Sequence, residues 1–497
     1  MVDRLSRREA LQYLGLGTAA WSPLRWLAAC GDARSSRATE HWEQADWEAS
    51  VGSVSLDPSR PWWEQWPYAP IEQEREAFDL EVQGEIPREL DGLFVRNGAN
   101  PQNGYRGHWF LGDGMLHGVR IQDGRARWYR NRYVQTPLLG RDPGEQANPV
   151  LNPAENPSNT AVVHHAGRML SISESGHPFE ISKADLSTVG VYDFGGKLGT
   201  AMTAHPKLDP RTGELHMLGC SVVEPYLTYH LVDATGGWVR SEPITLPRSV
   251  MVHDIQITDT RIVFMDLPIV FDVAAAASGV PMPFGWKEEA GARIGIMPRA
   301  GGDEDVIWID IDPCYVFHGL NAYDDDDGSL VLDVLEYPYL WRDSNETFDT
   351  NPSLVRYTLD TSTRSAKRAL IDDRPAEFPR IDPRRVGRVH RYGYAFWANT
   401  LNVYEDIHEA GLVKYDRVRG TTTVRTLQKG TVAGEPIFVP KSQSSAEDEG
   451  FVLSLNVGRE TSTLDIVDAR AFTSPALARV RLPGRIPLGF HAEWIAG

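Results

Sequence analysis

Residues 327–337 read DGSLVLDVLEY: an Asp-Gly-Ser turn, then a run dominated by Leu, Val and Tyr. Asp-Gly punctuates a tight turn, and a short apolar, β-branched run behind it reads as a buried strand. A helix would place its apolar residues three and four apart; here they fall on adjacent and alternate positions. The same figure recurs along the chain. It appears as DGRARWYRNRYV from Asp123, AGRMLSISES from Ala166, TGELHMLGCSVV from Thr212 and DTRIVFMDLPIVF from Asp259. After residue 337 it returns as VGRVHRYGYAFWA from Val386 and EGFVLSLNV from Glu449. Neighbouring starts lie roughly 45 to 70 residues apart, about one four-stranded propeller blade each. A pair of β-sandwiches would also be rich in turns. Recurrence at blade length over the whole chain, with seven such starts, instead predicts an all-β fold, a single propeller.

The totals agree with this reading. The chain has 497 residues, 41% of them hydrophobic, enough for a large packed core. Its 33 prolines and 44 glycines favour short strands and turns over long helices. A formal charge of −18 argues against nucleic acid as a partner, because phosphate binding needs a basic face. Cys30, Cys220 and Cys314 are too few for a disulfide scaffold and lack zinc-ligand spacing.

The first 30 residues read as an export signal, with Arg7-Arg8 as a twin-arginine pair and Leu27-Ala28-Ala29-Cys30 as a lipoprotein cleavage box. The expected location is therefore the periplasm or cell envelope, with Cys30 lipidated. An amphipathic helix that stays attached, in a cytoplasmic protein, is the alternative. Residues 31–60 are polar and read as a linker, leaving 61–497 for the propeller.

Two segments break the rhythm. Asp324–Asp327, just before Gly328, reads as a solvated hairpin turn rather than a calcium loop. Pro268–Trp286 (PIVFDVAAAASGVPMPFGW) is an apolar excursion between strands. It is either a short helix packed on the barrel or an exposed patch that touches membrane or greasy substrate.

Of the 14 histidines, His41, His230 and His408 lie in polar contexts and need no special role. His205 (TAHPKLDP), His253 (SVMVHDIQIT), His318 (DPCYVFHGLNAY) and His491 (GFHAEW) each stand on or beside a strand. In a propeller such residues can converge on the central axis, where neutral imidazoles suit Zn, Cu, Fe or Ni. Each could equally be a packed core histidine. Ligating histidines need carboxylate or carbonyl partners on the far ring nitrogen. Glu174, Glu377 and Glu435 lie in apolar or proline-bound strand contexts, where a buried carboxylate needs a partner. A histidine or an arginine would serve.

Together these stretches resemble the carotenoid cleavage oxygenases, non-haem iron enzymes built on a seven-bladed propeller. The resemblance rests on ELDGLFVRNGANP (89–101), GHWFLGDGMLHG (107–118), AHPKLDP (204–210), VHD (252–254), CYVFHGLNAYD (314–324), EFPRID (377–382), EPIFVP (435–440), AEDEGFVLS (446–454) and GFHAEW (489–494). It implies a propeller with a helical or loop cap over its axis. It implies that His205, His253, His318 and His491 hold ferrous iron, Fe(2+), and that Glu174, Glu377 and Glu435 orient three of them. Thr160 falls where members place a small residue beside the open coordination positions, and Phe317 and Phe490 become candidate tunnel walls. The implied reaction splits a conjugated double bond of a carotenoid or apocarotenoid with O2, giving two carbonyl fragments. The implied membrane contact would run through 268–286. The family's stilbene-cleaving branch carries a lysine that binds a phenolic hydroxyl where Leu138 and Leu139 stand here. That favours a polyene over a stilbene substrate. Ala99 and Gly319 replace residues that are commonly proline, and Asp113, in GDGM, reads as a structural turn. A catalytically silent propeller that binds a lipid or a partner is the rival of another class; a missing ligand would favour it.

Overall fold

In a computed structural model, residues 56–497 are described, apart from 146–148, 150, 404, 406, 428 and 429. Seven antiparallel sheets form the blades. Blades 2 to 6 run consecutively. They begin with the innermost strands Ala161–His165, Lys207–Leu208, Gln256–Ile257, Tyr315–Asp324 and Ala376–Ile381. Each of the seven turn-and-strand starts found in the sequence opens a strand of a different blade. The hairpin at 324–330 shows why. The Gly328 amide donates to the Asp325 carbonyl, and Gly328 takes a φ of +88°, which favours glycine. The acidic run caps this turn. Leu330–Tyr337 is buried throughout, packed from both faces. The outermost strand of the same blade, Ser365–Asp372, is largely exposed and correspondingly polar.

The ring closes at both ends of the chain. Val82–Gly84 pairs with Ala478–Arg481 on the outer side of blade 7. The C-terminal strand Ala492–Ala496 pairs with Gly92–Arg96 and becomes the innermost strand of blade 1. Closure of this kind leaves only short edges and pins the terminus that would otherwise fray.

Packing begins before residue 61. Leu56, Trp62, Trp63 and Tyr68 are buried in the largest core cluster. The export signal, Cys30 and most of the expected linker lie outside the described residues. The cap over the axis is built mainly of loops. Among the described residues its α-helical content is the single segment Val273–Ala277. That helix sits in the apolar excursion, between strands Ile269–Phe271 and Phe284–Trp286, which pair with each other. The helix has no buried residue, so it is not packed into the barrel as one expectation had it. Val273 and Val280 remain 37% and 40% exposed.

Candidate metal centre and substrate cavity

Each blade brings one of the expected residues to the axis. His491 precedes the inner strand of blade 1, Glu174 follows a strand of blade 2, and His205 and His253 precede the inner strands of blades 3 and 4. His318 and Glu377 lie in the inner strands of blades 5 and 6, and Glu435 sits between the short inner strands of blade 7. At two of these positions the ladder is irregular. Register shifts flank Gly319 and separate Glu377 from Arg380, and Phe378 takes a φ of +56°. Bulges re-aim side chains that a regular pleat would point elsewhere. Here they turn His318 and Glu377 towards the axis.

The four histidines are buried, and one ring nitrogen from each lies within 4.8 Å of the others. The His205 ring is centred 4.4 Å from His253, 4.9 Å from His318 and 4.5 Å from His491. Three rings are held from behind by carboxylates. Glu174 closes on Nδ1 of His253. Glu377 stands 2.5 Å from Nδ1 of His318, and Glu435 stands 3.0 Å from Nδ1 of His491. A carboxylate on Nδ1 fixes the proton there and leaves Nε2 a free lone pair facing inward. His253 and His318 then face each other at 3.2 Å through Nε2, and Nε2 of His205 is buried with no partner. Unsatisfied buried nitrogens converging on one point fit a metal cation. Neutral imidazole donors suit iron among the first-row metals.

Further groups fix the carboxylates. Glu377 accepts from the Tyr337 hydroxyl at 3.0 Å and the Phe378 amide at 2.8 Å. Glu435 accepts from Arg380 Nε at 2.8 Å and from the Ala492 amide at 2.7 Å, while Arg380 also donates to the Ala492 carbonyl. Asp254 is buried beside His253. Tyr337, Arg380 and Asp254 were not singled out from the sequence. Arg380 lies inside the EFPRID stretch and Asp254 closes the VHD stretch, so both stood within the motifs without a role of their own.

Burial, and then the facing imidazoles, push His205 well below the ordinary histidine range. Burial lowers His491 to about 4 even against Glu435. At His318 burial is outweighed by Glu377, which raises it. Burial would raise Glu435, but Arg380 and His491 bring it down to about 2.

A cavity of about 920 Å³ opens over these residues. Phe110, Phe317, Phe348, Phe490 and Tyr337 help to wall it, and Thr160 and Leu138 line it. Phe317 packs 4.9 Å from the His253 ring, and Phe490 packs 4.4 Å from Trp109. Both are therefore walls as well as packing. Thr160 turns its hydroxyl to Asn159, and its carbonyl accepts from the His491 amide at 3.1 Å. Asp113 is buried and paired with Arg106 at 2.9 Å, a structural role. Asp209, Glu214 and His216 also cluster, but Arg299 already supplies a cation there, 2.6 Å from Asp209.

The family model described as retinal pigment epithelial membrane protein matches residues 68–496. A carotenoid cleavage oxygenase of Mycobacterium tuberculosis (strain ATCC 25618 / H37Rv) is 37% identical over 86% of this chain and 96% of its own. Among solved structures, the Pseudomonas brassicacearum lignostilbene dioxygenase superposes with a TM-score of 0.80 at 28% identity, covering 89% of this chain and all of that one. The cobalt-substituted Synechocystis apocarotenoid oxygenase does so with a TM-score of 0.76 at 27% identity, covering 86% of this chain and 97% of that one. Seven blades, four axial histidines and these likenesses agree: the chain is an enzyme of the carotenoid cleavage oxygenase family.

Proposed function

We propose that the protein is an iron(II)-dependent dioxygenase that cleaves a conjugated double bond of a carotenoid or apocarotenoid to two carbonyl products. The observation that carries the reading is the meeting of four inward-facing imidazoles with an aromatic-walled cavity. His205, His253, His318 and His491 would hold the ion. Bound there, ferrous iron supplies the one-electron chemistry that lets ground-state dioxygen react with an electron-rich alkene. The chain's own residues do the rest. Phe317, Phe490 and Phe110 hold an extended apolar substrate by its flat faces and keep water from its reacting carbons. Glu174, Glu377 and Glu435 keep three imidazoles in the tautomer that presents Nε2. The cavity's size is at the upper end for small-molecule sites, in keeping with a long polyene. Leu138 in the wall supplies no cation for a phenol. The likeness to a lignostilbene dioxygenase keeps stilbenes as the second reading.

The test is incubation of iron(II)-loaded protein with a panel of carotenoids, apocarotenoids and stilbenes under isotopically labelled dioxygen. Cleavage of a polyene, with label in the carbonyl fragments and activity abolished by chelation, is expected. Turnover of stilbenes alone would transfer the assignment to the second reading. Activity indifferent to chelation would remove the metal from it.

We also propose that the excursion at 268–286 meets a membrane surface from which substrate is drawn. Phe271, Val280, Met282 and Phe284 line the cavity, while Val273 and Val280 face solvent. Replacing Val273 and Val280 by Ser is expected to weaken co-sedimentation with lipid vesicles several-fold. Unchanged sedimentation would remove this role.

A further inference from the structure

Asp254, directly after His253, is buried to 1% exposure. Its two carboxylate oxygens accept four hydrogen bonds, which come from three blades. Oδ1 takes Lys207 Nζ at 2.6 Å and the Ile255 amide at 2.7 Å. Oδ2 takes Gln256 Nε2 at 2.8 Å and the Gly319 amide at 3.0 Å. Each blade reached in this way bears a candidate ligand. Lys207 is two residues beyond His205, Asp254 is next to His253, and Gly319 is next to His318.

The local sequence serves this arrangement. A Cβ at position 319 would lie 2.4 Å from Gln256 Nε2, so glycine lets the strand of blade 5 come this close. A proline there would lack the amide that Asp254 accepts. A buried carboxylate is costly unless its lone pairs are filled, and charge-assisted bonds to an ammonium are strong and directional. With every lone-pair direction used, Asp254 sets the spacing of three strands. His205 depends on this most. Among the described residues it has no carboxylate behind its ring, so the aim of that ring rests on where its backbone is held.

We infer that Asp254 is a positioning residue: its carboxylate clasps Lys207 and Gly319 so that His205, His253 and His318 are assembled before any metal arrives. This rests on the four histidines being metal ligands. It assigns the metal's grip partly to a residue that touches none of the ring nitrogens.

The test is Asp254→Asn. An amide keeps one acceptor oxygen and puts a donor NH2 where the other stood, so the Gly319 amide loses its acceptor. Co2+ alone is titrated into metal-free protein well below its melting temperature, and the visible absorption of the bound ion is recorded. Wild-type protein is expected to bind Co2+. The variant should bind about tenfold more weakly, the lower end for groups that orient ligands from behind, with an altered cobalt spectrum. If Asp254→Asn leaves Lys207 stranded and the protein does not fold, the double variant Asp254→Asn with Lys207→Gln carries no unpaired charge and is titrated instead, with the same expectation. Wild-type affinity and spectrum in the folded variant would overturn the inference and reduce Asp254 to a strut. Failure of the wild-type protein to bind Co2+ would overturn the ligand reading beneath it.

Discussion

Removal of the last seven residues, His491–Gly497, is expected to yield a chain that neither binds a divalent ion nor closes its ring. The segment supplies one of the four axial imidazoles and the whole inner strand of blade 1. Without it, Gly92–Arg96 loses its partner and becomes an unprotected inner edge. Ile495, 3% exposed, takes with it burial of about 2–3 kcal/mol. The Ala492 amide and carbonyl no longer engage Glu435 and Arg380, bonds to charged groups worth about 1.5–3 kcal/mol each. With the strand's ladder bonds, the loss is on the order of the whole net stability of a typical protein, about 5–15 kcal/mol. The truncated chain should be insoluble or bind a hydrophobic dye, and should lack a cooperative melt. His491→Ala in the full chain separates the two roles. It keeps the strand, so the ring should still melt cooperatively, but Co2+ affinity should fall by about 100-fold or more, beyond the usual effect of losing a partner behind a ligand. A truncated chain melting like the wild type would show that the terminal strand does not close the ring.

That dependence on the terminus marks where sequence reading succeeds and where it stops. The seven blades are legible because each carries an Asp-Gly or similar turn and a buried strand long enough to show its pattern, as at 327–337. The inner strands of blades 3 and 4 are fainter: Lys207–Leu208 and Gln256–Ile257 are two residues long, and only the second shows itself, in the alternation of SVMVHDIQIT. Ring closure is hidden for another reason. The pairing of Val82–Gly84 with Ala478–Arg481 joins positions nearly 400 residues apart, which no local pattern encodes. The four histidines stand out by their apolar neighbours and by the family motifs. Asp254 and Arg380 sit inside such motifs but their roles do not show, because a charge buried with partners and a charge in water have the same letter. His230 shows the converse. Its neighbours look polar, yet it is 1% exposed and bonded through Nδ1 to Ser241 and through Nε2 to Thr200.

Histidines of that last kind make the fold sensitive to acid, and the protein is expected to lose most of its stability between pH 6.5 and 4.5. Burial pushes His108, His230 and His390 down to about 4 and His216 to about 3, from an ordinary value of 6.5. Each is neutral in the native state and free to take a proton once unfolded. Between the two values the unfolded chain binds more protons, so stability falls as pH drops and is flat above about 6.5. At pH 5 each histidine forfeits about 2 kcal/mol, so the four together approach about 8 kcal/mol, comparable with net stability. Asp266 and Glu447, which burial raises above the usual carboxylate range, act in the opposite sense and return part of this. Urea unfolding at pH 7 and pH 5 measures the difference directly. His230→Gln, which can still hydrogen-bond to the two hydroxyls, removes one titrating group and should shrink the pH 7 to pH 5 difference by about 2 kcal/mol. Equal unfolding free energies at the two pH values would mean that these imidazoles take up protons without opening the fold, and that their burial in blades 1, 3 and 6 is looser than their contacts indicate.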